Sequence, residues 1–208
     1  MTAYEKIKDE ALAVHMETAL CQVEIERGNL QKALEHARKA TSDAKNIVKT
    51  YPDEFAAYIV YMNASSVLFR LLEKEDNKMG AFIFSCDVLF TVGPFLCTGL
   101  EHEHVASLFL TASMQLTTST EAIMSTAGED KLELQSAILM ASANITYFAY
   151  IELKKQNPDN IMVKPVSFFI QRIQRCGFEP DTSITASDIP DVLHYLNNKI
   201  YDFLEGEK

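Results

Sequence analysis

The stretch Gly28-Asn-Leu-Gln-Lys-Ala-Leu-Glu-His-Ala-Arg-Lys-Ala40 decides the fold. One amphipathic pattern ends at Gly28, a second starts at Leu30, and Ala33, Ala37 and Ala40 recur on one helical face. Small residues on a contact face let two antiparallel helices approach closely, so the stretch predicts a tight helix–turn–helix.

Composition extends that reading to the whole chain. Seven Gly and six Pro in 208 residues, with 48% hydrophobic residues, predict a helical fold with a sizeable core rather than strands punctuated by turns. The net charge of −10 excludes a surface built to neutralise phosphates, so no nucleic-acid partner is expected. Cys21, Cys86, Cys97 and Cys176 form no Cys-x-x-Cys pair, and the first three lie in apolar stretches. Free thiols in a reducing, cytoplasmic compartment are the expectation, and the first ten residues lack a signal-peptide pattern.

Working outward from Gly28, Thr2 and Glu5 form a capping box, and Ile7, Ala11, Val14, Leu20, Val23 and Ile25 carry a first helix to Arg27. The second helix runs from Leu30 to Tyr51-Pro52, with Asp53 as cap of a third over about 54–73. Ala56 to Phe69 contains no charge, which predicts an interior helix with neighbours on several sides. A fourth helix, about 78–92, is expected to break at Gly93-Pro94.

A fifth helix from Glu101 to Thr126 and a sixth from Lys131 to Gln156 flank a turn at Gly128-Glu129-Asp130. Pro165 and Gly177 bracket a seventh, and Ser187-Asp188 caps an eighth that ends near Leu204. The prediction is all-α: one domain over 1–208, with hairpins at about 2–50, 53–99 and 101–157 and capping helices over 161–205.

Gly28, Leu30, Ala33, Ala37 and Ala40, with Leu20-Cys21 on the preceding helix, make residues 14–40 resemble a tetratricopeptide repeat. The second hairpin keeps only Ala81 in register, with Asp76 where the pattern has Gly. The resemblance implies a right-handed superhelix and a non-enzymatic, adaptor-like or chaperone-like module that binds a peptide or protein segment in a groove. Its groove-side positions would be His15, Thr18, Gln22 and Ile25.

Other residues suggest chemistry. Glu101 and His104, and Asp191 and His194, are each spaced i, i+3, half of the carboxylate–histidine set of a di-metal bundle. A metal-binding or enzymatic bundle on these four is therefore the alternative function, although no catalytic motif is present and no cofactor is expected. Asp87, alone in an apolar run, is a candidate buried base. Met79 to Leu100 is long enough to span a membrane, but Asp87 and Gly93-Pro94 oppose that. The apolar excess also allows a homodimer through Phe82, Phe84 and Phe95.

Overall fold

The computed structural model describes residues 3–125, 132–175 and 177–205. Thr2 of the expected capping box, the Gly128-Glu129-Asp130 turn and Cys176 lie outside them. Among the described residues there are eight α-helices and no strand. They are α1 (Ala3–Glu26), α2 (Leu30–Thr50), α3 (Phe55–Lys74), α4 (Lys78–Leu96), α5 (Glu103–Met124), α6 (Leu132–Gln156), α7 (Val163–Arg175) and α8 (Ile189–Glu205). The all-α prediction holds. The chain divides into two compact units, residues 1–81 and 82–208, with the boundary inside α4.

In the first unit, Gly28 adopts φ +78° and its amide donates to Ile25 O while that of Asn29 donates to Glu24 O. This is a Schellman cap, which closes the carbonyl end of α1 and needs a left-handed residue. Asp76 takes the same role after α3 with φ 56°, its amide donating to Glu73 O and that of Asn77 to Leu72 O. Hence Asp occupies the place of the repeat's Gly with the same turn geometry.

Ala33, Ala37, Ala40 and Ala44 of α2 are at most 1% exposed, and α2 lies against α1 and α3. The facing residues of α1 are also mostly small: Ala11, Val14 and Cys21 are buried, together with Ile7. α3 contacts both α1 and α2, and before its last two residues, Glu73 and Lys74, its exposed positions are Ile59, Asn63 and Arg70, as an interior helix requires. Asp53 does not cap α3. Glu54 holds the N-cap position without a side-chain capping bond, and Pro52 O accepts from the Tyr58 hydroxyl at 2.8 Å.

In the second unit α5 and α6 form a hairpin, and α6 also contacts α7 and α8. The uncharged, hydroxyl-rich centres of α5 and α6 have a definite use. Ser85 of α4 bonds Ser119 of α5 at 2.6 Å, and Thr117 of α5 bonds Thr146 of α6 at 3.0 Å, all four buried. Each hydroxyl also lies within bonding distance of a carbonyl of its own helix, at 2.9–3.0 Å. A buried polar group with partners costs little, so the helices touch through hydroxyls without penalty.

The helix α8 closes this unit: Phe203 meets Phe82 edge-on, with centroids 5.6 Å apart and planes at 85°, and Leu193 lies over Gly93. A Cβ on Gly93 would come within 3.1 Å of Leu193 Cδ1, so glycine there permits close approach. The expected break at Gly93-Pro94 does not occur. Pro94 has no N–H for Phe90 O, but it falls in the last turn and α4 ends two residues later, where that loss is small.

The cap of α8 also differs from expectation: Thr185 N and Oγ1 both donate to Asp188 Oδ2, at 2.8 and 2.6 Å, around a 3-10 turn at Ala186–Asp188. By length and composition α3 and Lys78–Gly99 are each sufficient to cross a membrane, and 61% and 50% of their most apolar windows are buried within the protein.

Candidate functional site

The helix α1 carries apolar residues on two opposite faces. With 3.6 residues per turn, Ile7, Ala11, Val14 and Cys21 fall on one side, while Leu12, Met16, Leu20 and Val23 fall roughly half a turn away. The second set is exposed, at 56, 60, 45 and 39%. Leu20 and Val23 thus point outward, whereas Ala11, Val14 and Cys21 are buried on the other side, and α2, with Ala33, Ala37 and Ala40 buried, lies against α1. Exposed Ala13 and Ala19 widen the outer stripe.

The four positions implied by the repeat resemblance lie away from this stripe, on the side of α1 that carries Ile7 and Ala11. His15 and Gln22 are exposed, with Gln22 Nε2 donating to Glu26 Oε1 at 3.3 Å; Thr18 and Ile25 are half-buried, and Thr18 Oγ1 donates to Val14 O at 2.9 Å. They share a side of α1 but not its outermost line.

A polar cluster fixes how α1 presents itself. Glu17 of α1 meets His36 Nδ1 at 2.7 Å and Lys39 Nζ at 2.9 Å, and Lys39 continues to Asp43 at 3.0 Å. The Lys39 ammonium, then His36, hold the Glu17 carboxyl below its usual range, and Glu17 raises Lys39 in return. Nearer the start of α1, Glu10, Asp43, Asn46, Thr50 and Tyr51 line a cleft of about 250 Å³ between α1 and α2, and Ala13 borders it. The Tyr51 hydroxyl donates to Glu10 there at 3.3 Å, and the carboxylate raises the phenol.

In the second unit a cleft of about 470 Å³ lies between α4 and α8, lined by Phe90, Pro94, Pro190, Leu193, His194 and Cys97 among others. The Cys97 thiol donates to Pro94 O at 3.4 Å and is raised by burial, so it is not an activated nucleophile. Cys86 and Cys21 are buried and raised for the same reason.

The metal alternative is not assembled. Among the described residues no group of three or more His, Cys, Asp or Glu side chains converges to hold an ion. Glu101 precedes α5, so the helical spacing that pairs it with His104 does not apply; its carboxylate lies 3.6 Å from His102 instead. His104, Asp191 and His194 are exposed. Asp87 is exposed on the outer side of α4, which removes it as a buried base. Phe82 is fully buried against Phe203 and offers no dimer surface, while Phe84 and Phe95 are half-buried.

The exposed apolar line of α1 lies outside the positions to which the repeat resemblance points. Its signal was present: apolar residues at 12, 16, 20 and 23 form a second stripe beside that at 7, 11, 14 and 21. Compared with protein-family models, with curated proteins and with solved structures, the chain has no match.

Proposed function

We propose that this chain is a non-enzymatic, cytoplasmic protein-interaction module, built on a tetratricopeptide-like first hairpin, whose α1 outer face receives a helical segment of another protein. One observation carries the reading: four large apolar side chains, Leu12, Met16, Leu20 and Val23, stand exposed in line on a helix whose opposite side is fully occupied. Contiguous exposed apolar surface marks interaction sites, and an i, i+4, i+8, i+11 line matches the face that another amphipathic helix presents. Supporting the repeat architecture are the Schellman turn at Gly28, its counterpart at Asp76, and α3 lying on both α1 and α2.

The exposed fractions amount to about two full apolar side chains, or about 3–6 kcal/mol of burial on this side alone. The costs of association offset much of this, so binding in the micromolar range is expected. Selection from a library of displayed helical peptides tests it. Peptides that bind the chain but not its Met16→Glu variant, with the variant's helical spectrum unchanged, are expected. Enriched peptides that bind both equally would refute the assignment of α1.

A further inference from the structure

The charges around the α1 stripe select among the helices that fit it. Glu5 and Asp9 lie on its line before Leu12, and Glu26 lies one turn beyond Val23, all exposed. Across Ala13, the cleft between α1 and α2 adds Glu10 and Asp43. The nearby cations are largely occupied: Arg27 is held on Glu24 at 2.9 Å, and Lys39 on Glu17 and Asp43, with Lys8 exposed on the same surface. Along α1, acidic Glu5, Asp9, Glu10, Glu17, Glu24 and Glu26 outnumber Lys6 and Lys8, in a chain of net charge −10.

Resting on the reading of α1 as the docking face, we infer that its occupant is a cationic amphipathic helix of another protein: an apolar stripe with Lys or Arg beyond both ends. One further long cationic side chain would reach the Glu10 and Asp43 cleft. A second copy of this chain fits less well. Parallel pairing sets Asp9 on Asp9 and Glu26 on Glu26, and antiparallel pairing centred on the stripe sets Asp9 against Glu26. Like charges brought together in either arrangement oppose association. An anionic lipid surface meets the same repulsion.

Three synthetic helical peptides with one apolar stripe and Lys/Arg, Gln or Glu flanks test this by fluorescence anisotropy against the intact chain. About three exposed pairs predict roughly tenfold tighter binding of the Lys/Arg peptide than the Gln peptide at low salt. The advantage shrinks as salt rises. Asp9→Lys combined with Glu26→Lys is expected to reverse the preference toward the Glu-flanked peptide.

Equal binding of the Gln and Lys/Arg peptides, both lost on Met16→Glu, would overturn the cationic assignment and leave the docking face standing. Failure of all three peptides, with no Met16-dependent peptide from library selection, would overturn both. Met16-dependent self-association in sedimentation, or binding to phosphatidylserine vesicles, would replace the inferred occupant.

Discussion

Substituting Phe203 by Ala removes the side chain that fixes α8 to α4. Phe203 is 2% exposed and Phe82 0%, and their rings are in edge contact. Truncating a buried Phe costs about 3–5 kcal/mol in lost transfer energy and cavity formation. A typical domain has about 5–15 kcal/mol in total, so this is a large share. Urea unfolding followed by circular dichroism should show a fall of that size. Native-state hydrogen exchange should show protection lost mainly in α8 and in α4 beyond Phe82.

The edge-on geometry adds a finer expectation. Phe203→Leu and Phe82→Leu, each milder, should couple in a double-mutant cycle by about 0.5–1.5 kcal/mol. A loss below about 1.5 kcal/mol for Phe203→Ala, with no coupling in the cycle, would refute the placement of α8 on α4.

Lowering the pH tests the α1–α2 cluster. The Glu17 carboxyl is depressed in the folded chain, so its contribution is complete above the ordinary carboxylate range and is lost as pH falls through its folded value; acid unfolding of Glu17→Gln should show a shallower dependence there. Gly28 and Asp76, both left-handed, should respond in opposite directions. Gly28→Ala, with nothing near the added Cβ, should cost about 1 kcal/mol from backbone strain alone, and Asp76→Gly should gain about 0.5 kcal/mol, both read from thermal melts. A thiol reagent should modify Cys97 in the native protein and reach Cys21 and Cys86 only on unfolding, as mass spectrometry of labelled peptides would show.

Helix positions were legible because Gly28, Pro52 and Gly177 mark chain reversals that side chains elsewhere cannot replace. Asp76 shows the limit: an αL residue without glycine carries no such mark, and the turn appeared only as a polar run. The orientation of α1 was harder to read. Large apolar residues are normally placed inside, but here the smaller Ala11, Val14 and Cys21 are buried while Leu20 and Val23 are exposed, and small residues permit the close approach of α1 and α2. Hydrophobicity alone cannot rank two apolar stripes on one helix. A continuous helix from Glu101 would pair Glu101 with His104, but α5 begins at Glu103 and the extended backbone at His102 breaks that spacing. Asp87 looked buried because its neighbours are, yet one exposed line on α4 was enough to hold it.

The buried hydroxyl pairs of α4, α5 and α6 give these interfaces a clutch. When Ser85 parts from Ser119, or Thr117 from Thr146, each hydroxyl can turn to a carbonyl of its own helix, already 2.9–3.0 Å away. No donor is stranded by the slip. Buried Leu89, Leu116 and Ile145 on the same helices hold the larger packing in place, and the hydroxyls themselves add no penalty to a small shift.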